Sequence, residues 1–216
     1  MELHAMKRIK SHLFTRYPET CERLEPTRYF MVGDISPNPS ITDSYNRIRA
    51  RSYIGSQNDW LARCCEEHGI CNIQMCIEKD DSGIFYALLR RVVKEVIHEG
   101  HKTYKVSENF SNTDEYALFK YFSFPVLDIT KTEMAWVARV QGLEKIMNMT
   151  WFCHNPIKGK PCGKCNPCTY TIKEGLGWRI APRRRIVSSF TRTVVRPLKD
   201  GVKLVLPKKQ VNNPFA

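Results

Sequence analysis

The chain has 216 residues, 42% of them hydrophobic, enough for one good-sized core with a small appendage. A formal net charge of +12 and a pI near 9.3 point toward polyanionic partners such as nucleic acid, nucleotides or an acidic protein surface. No run approaches a membrane span and no apolar leader follows Met1, so a globular cytoplasmic protein with reduced thiols is expected.

In chain order, residues 1–13 read as a helix with Leu3, Met6, Ile9 and Leu13 roughly on one face. Residues 28–32 (RYFMV), bounded by Pro26 and Gly33, predict a buried strand, and residues 33–40 the loop at its end. Residues 43–68 predict one helix, or two broken near Gly55, with Ile54, Trp60, Leu61 and Cys64 facing the core and Gly69 as the stop. Residues 71–77 (CNIQMCI) predict the second strand. Alternation sends Cys71 and Cys76 to opposite faces, so with Cys21, Cys64 and Cys65 they read as separate thiols rather than one site.

A helix is expected from the Asp80-Asp81 pair through Glu95, carrying Ile84, Leu88 and Val92 at helical spacing. Residues 101–110 predict a short strand or loop, 112–121 a helix, and 124–129 (FPVLDI) another strand. Thr130-Lys131-Thr132-Glu133 has the spacing of a capping box and opens a helix through Arg139 that presents Met134, Val137 and Ala138 inward. Further on, residues 169–176 predict a short helix ended by Gly175 and Gly177. Runs 193–198 and 202–206 predict a hairpin turning at Asp200-Gly201, with Pro197 marking an edge strand.

The stretch 151–168, WFCHNPIKGKPCGKCNPC, carries the chemistry. Cys153, Cys162, Cys165 and Cys168 are separated by eight, two and two residues, a pattern that gathers four thiolates around one tetrahedral zinc ion. Gly163 leaves room for the tight turn after Cys162, and Pro161 and Pro167 stiffen its approaches. Lys158, Lys160, Lys164 and Lys173 offset the roughly two negative charges that ligand counting leaves on such a site. Two disulfides or a redox Cys-x-x-Cys pair fit less well, and His154 stands as a substitute for Cys153. A site closed by four protein ligands holds structural rather than catalytic zinc.

The order of PVLDITKTEMAWVA, NMTWFCHNP and PCGKCNPC resembles the carboxy-terminal two thirds of the 7-cyano-7-deazaguanine synthase family. The cysteine spacing with Thr150-Trp151 in front is the specific signal, whereas LDITKTE is shared more widely among ATP pyrophosphatase-type folds. The resemblance implies an α/β fold, with a parallel-sheet adenine-nucleotide α-hydrolase-like domain over residues 1–150, lacking its first strand and phosphate loop, and a four-cysteine zinc-binding segment over 151–178; the residues themselves add a basic β-hairpin tail over 179–216. It implies an ATP-dependent reaction in which 7-carboxy-7-deazaguanine is activated at its carboxylate, aminated by ammonia and dehydrated to the nitrile. Zn2+ and ATP are the implied cofactors. Cys153, Cys162, Cys165 and Cys168 match the family's zinc ligands, and Lys131 matches the lysine that in related folds reaches nucleotide phosphates. A solvated lysine at a helix start is the other reading of Lys131.

The sequence departs from that superfamily in one respect: it contains neither an SGGxDS phosphate loop nor a GxxxxGK[ST] loop. A truncated product, the downstream half of a split protein, and a remnant kept as a binding module are the expectations that follow. A complementing chain or a homo-oligomer is one class of partner, because a sheet without its first strand exposes an edge. A zinc-stabilised module that contacts nucleic acid or an acidic protein through its basic tail, with Arg183-Arg184-Arg185 near Phe190, is the alternative function; a thiol redox protein is a third.

Overall fold

The computed structural model describes residues 1–190 except Ser82. In chain order the helices and strands are α1 (Glu2–Arg16), α2 (Thr20–Arg23), α3 (Pro39–Arg51), α4 (Gln57–Glu67), β1 (Ile73–Gln74), α5 (Ile84–Arg90), β2 (Val93–His98), β3 (His101–Val106), α6 (Asp114–Phe119) and β4 (Phe122–Ser123). Then come α7 (Lys131–Val140), α8 (Glu144–Met149), α9 (Asn166–Thr171) and α10 (Pro182–Phe190). The fold is mixed α/β and divides into two compact units, residues 24–134 and residues 1–23 with 135 onward, the division falling inside α7. Among the described residues no helix is long and apolar enough to cross a membrane.

In the unit formed by residues 24–134, α3 starts where the Asn38 side chain accepts a hydrogen bond from the Ile41 amide and Pro39 fixes the first helical φ. Ile41, Tyr45 and Ile48 form its buried stripe, at the spacing one helix face requires. The pair α3 and α4 bears out the break near Gly55, and Gly69, at φ +60, supplies the left-handed residue that stops α4. Ile54 and Cys64 are buried as expected. The core is completed by Leu89, Leu118, Phe119, Phe122, Phe124 and Leu127.

The sheet is smaller than the sequence suggests. β1 and β4 form a parallel pair of two residues each, Ile73 opposite Phe122 and Gln74 opposite Ser123. Asn72, at φ 61, bends the chain before β1, and the Ile77 amide turns back to the Met75 carbonyl after it, so the strand expected over 71–77 is cut at both ends. The strand expected over 124–129 is a turn beyond Phe124. Pro125 has no amide to extend the ladder, and the Ile129 amide closes on Val126.

Residues 28–32 are not a buried strand. Tyr29, Met31 and Val32 are exposed, Val32–Asp34 forms a single 3-10 turn, and the Phe30 ring sits 4.7 Å from the His68 ring with Arg28 stacked over it. The run is apolar, but its Phe30 ring lies on the end of α4 and its backbone joins no sheet among the described residues.

The helix expected through Glu95 ends at Arg90. Val93–His98 instead pairs antiparallel with His101–Val106 across the Glu99-Gly100 turn, both residues at positive φ (50 and 77) as a tight hairpin of this twist requires.

In the other unit, α1 packs on α8. Beyond α9 the chain widens into a π turn, Ile172–Leu176, in which Gly175 has φ 80, so the helix expected over 169–176 is regular only to Thr171. Within the basic segment, Pro182–Phe190 is helical, and the hairpin expected from runs 193–198 and 202–206 lies outside the described residues.

Candidate metal centre

The loop between α8 and α9 folds back on itself through a two-residue bridge, Ile157 with Lys160, whose turn residues Lys158 and Gly159 both take positive φ. This brings Cys153 beside Cys162. Gly163, at φ +81, reverses the chain again and delivers Cys165, and the first turn of α9 carries Cys168 to the same point. The four sulfur atoms lie within 4.8 Å of one another, with Cys165 Sγ 3.8 Å from Cys153 Sγ and Cys162 Sγ 3.9 Å from Cys168 Sγ. Four thiolates at about 2.3 Å from a tetrahedral zinc ion stand about 3.8 Å apart. Disulfide sulfurs lie at about 2.0 Å, and all four cysteines are free. The cluster therefore has the dimensions of a zinc site and excludes the two-disulfide arrangement in this structure.

Backbone amides are aimed at the sulfurs. The amide of Cys162 donates to Cys153 Sγ at 3.2 Å, and those of Lys164 and Cys165 donate to Cys162 Sγ at 3.4 and 3.3 Å. Burial pushes the Cys153 and Cys168 thiols up. Burial also raises Cys165, but amides of Cys168 and His154 outweigh it and hold that thiol down at about 6. An array of N–H donors around sulfur favours the thiolate that a metal needs. His154 is exposed and supplies its backbone rather than its ring.

Around the sulfurs lies a small apolar shell of Ile180, Trp151, Phe152 and Ile172. Trp151 donates its indole N–H to the Cys153 carbonyl at 2.7 Å, fixing the peptide of the first cysteine. The Thr150 hydroxyl donates to the Met147 carbonyl, while Arg179 Nη2 donates to the Thr150 carbonyl at 2.7 Å and to its hydroxyl at 2.9 Å. Thr150 and Trp151, singled out in the sequence only as a pair preceding the first cysteine, thus anchor the loop from two sides. A contributor that sequence reasoning missed is Arg184. Its guanidinium donates to the carbonyls of Lys160 (2.9 Å), Pro161 (2.6 Å) and Ile157 (3.1 Å), holding the bridge that precedes Cys162. In the sequence it was one member of a basic run, with no signal separating it from Arg183.

In residues 24–134, Lys131 stands at the first position of α7, and its Nζ forms an ion pair with Glu78 Oε1 at 2.6 Å. The capping box before it is formed in full: Thr130 accepts from the Glu133 amide, and Glu133 accepts from the Thr130 amide.

Residues 93–176 match the family model described as queuosine biosynthesis protein QueC. The matched range runs from β2 to the end of the π turn and contains Lys131 and all four clustered cysteines, but it is less than half of the chain. No curated protein and no solved structure matches the chain.

Proposed function

We propose that the chain is a QueC-like component of queuosine-type deazapurine biosynthesis, acting in the ATP-dependent conversion of 7-carboxy-7-deazaguanine and ammonia to the nitrile. The observation that carries this reading is the coincidence of the QueC match over residues 93–176 with a four-sulfur cluster of zinc dimensions inside it. A carboxylate needs activation before ammonia can displace its oxygen, and ATP supplies that activation. Zinc, held by Cys153, Cys162, Cys165 and Cys168, would serve structurally by closing the 153–168 loop, since four protein ligands leave no open position for water. Lys131 is the residue proposed for the nucleotide phosphates, where a cation at a helix start is suited to them; it would exchange Glu78 for phosphate oxygen.

The 216 residues contain no SGGxDS stretch, so in this reading the phosphate loop comes from a complementing chain or segment. The test is conversion of the deazaguanine acid with ATP and ammonia, assayed for this chain alone and together with an SGGxDS-bearing partner. Nitrile formed only in the combined reaction is the expected result; none in either reaction removes the proposal.

A second reading, a zinc-stabilised binding module, is favoured by the way the four-cysteine loop is braced by Trp151, Arg179 and Arg184 through contacts within its own unit. Its proposed route to nucleic acid through the 183–185 run is narrowed, because Arg184 is committed to three loop carbonyls. Steep loss of RNA or DNA affinity with rising salt would support it.

A further inference from the structure

Beside the four-cysteine loop, in the unit formed by residues 1–23 and 135 onward, a cavity of about 270 Å³ opens between α1, the end of α8 and the segment before α10. Its walls carry aromatic rings and cations: Trp151, Phe152 and Trp178, with Arg8 and Arg179 beside Thr150. The volume lies just below the ~300–1,000 Å³ of clefts for drug-sized ligands, which suits a ring and its charged substituent, with the rest of a ligand outside.

Arg179 is the unusual member. It is half-buried, and burial lowers its pKa. Its polar contacts run only through Nη2, to the carbonyls of Met147 and Thr150 and the Thr150 hydroxyl. Three of the five N–H donors of a guanidinium, those on Nε and Nη1, therefore have no acceptor among the described residues, and no carboxylate there pairs with the group. A half-buried cation with donors not used by the protein favours an anion. Arg8, exposed on the same wall, also lacks a carboxylate partner among the described residues.

The rings supply the second half of the recognition. Arg179 lies 4.7 Å over the Phe152 ring, and Trp151 and Phe152 are stacked at 27° with centroids 6.5 Å apart, so that wall is a fixed aromatic surface. Trp178 is 52% exposed and makes no ring contact among the described residues, leaving a large face available for stacking. Aromatic faces and two arginines lining one cavity suit a planar base linked to a phosphate.

We propose that this cavity binds a nucleobase together with its attached phosphate, the base stacking on Trp178 and the phosphate engaging Arg8 and Arg179. The site is built from residues other than Lys131 and does not depend on the deazapurine reading. Its source is either a free nucleoside monophosphate or the phosphorylated end of a single strand, both of which present the same chemistry.

The test is titration of the zinc-loaded full chain with AMP, UMP, adenosine, inorganic phosphate and a short oligonucleotide with and without a 5′-phosphate, followed by tryptophan fluorescence and calorimetry. The monophosphates should bind about tenfold or more tighter than adenosine or phosphate alone. Arg8→Ala and Trp178→Ala should each weaken AMP about tenfold while zinc content and melting temperature stay unchanged. Tighter binding of AMP than of the 5′-phosphorylated strand identifies a free nucleotide as the source; the reverse identifies a strand end. Equal affinity for adenosine and AMP, no binding at all, or affinity insensitive to both substitutions overturns the proposal.

Discussion

Gly163 and Arg184 meet backbone to backbone: a Cβ on Gly163 would lie 2.5 Å from the Arg184 carbonyl oxygen. Gly163 is also at φ +81, where a side chain is strained whatever the space around it. Gly159, at φ +69 in the same loop, has nothing within 4 Å of its would-be Cβ. Gly159→Ala should therefore show the backbone cost alone, roughly 1–3 kcal/mol. Gly163→Ala should exceed it and weaken zinc retention as well. Thermal melts and metal-release assays on the two variants separate the terms, and equal losses would mean that the contact with α10 contributes nothing.

The Arg184 side chain makes a further prediction. One planar guanidinium reaches the carbonyls of Ile157, Lys160 and Pro161, a geometry that a lysine ammonium cannot reproduce. Arg184→Ala should cost about 2 kcal/mol and speed zinc loss to a chelator. Arg184→Lys should behave like the alanine variant rather than like wild type. Recovery by lysine would show that charge near the cluster matters and the fork does not.

What could be read from sequence follows from how local each signal is. The four-cysteine cluster and the capping box at Thr130 and Glu133 depend on short spacings and turn chemistry, and both are present as expected. The helices within 43–68 were legible because Gly55 interrupts the run and Gly69 ends it, whereas the start at Pro39 lay inside the expected 33–40 loop. Residues 28–32 misled because an apolar run is ambiguous until a partner strand is known, and here Phe30 meets His68 instead. The 93–106 hairpin was obscured by Glu99, an unfavoured residue at positive φ, although Gly100 and the alternation in VVKEVIH were available signals. Arg179 and Arg184 were hidden because their acceptors are main-chain carbonyls, to which no sequence spacing points.

Loss of a cluster thiolate should unfold its surroundings. Structural zinc contributes on the order of 10 kcal/mol to a small module, and the apolar shell of Ile180, Ile172, Trp151 and Phe152 is too slight to replace it. Cys162→Ser or Cys165→Ser should release the metal and accelerate amide exchange over residues 151–176, as a strong chelator should in wild type. Cys21→Ser, at an exposed free thiol, is the control. Full zinc content with an unchanged melt in either cluster variant would show that the ligands are assigned wrongly.

Acid should reveal the contact between α3 and α6. Arg47 hydrogen-bonds Asp114 at 2.7 Å and, with help from Arg51, holds its carboxyl below the usual range against the opposing effect of burial. A carboxylate whose pKa is depressed on folding stabilises the fold above its unfolded pKa, about 3.9, and that contribution is lost as pH falls through the folded value. Wild type should therefore exceed Asp114→Asn in stability at neutral pH by a small, salt-sensitive margin, because Arg47 is exposed. The two should converge under acid. Urea unfolding at a series of pH values measures the gap; a gap that widens on acidification contradicts the assignment.

Lys131 and Glu78 allow a structural ion pair to be told apart from a nucleotide site in waiting. The two side chains are only 34% and 23% exposed and sit 2.6 Å apart, so a phosphate arriving at the start of α7 would compete with Glu78 for the same ammonium. Removing the competitor and removing the cation should then have opposite effects. Glu78→Gln should tighten ATP binding and Lys131→Met should weaken it, each by about tenfold, or 1.4 kcal/mol. Both should lose some thermal stability, because each removes a short ion pair between partly buried groups. Calorimetric titration with ATP, run beside thermal melts, reads both quantities from the same variants. If the melts shift while ATP affinity moves in neither direction, Lys131 serves only to tie α7 to the segment after β1, and the nucleotide role falls with it.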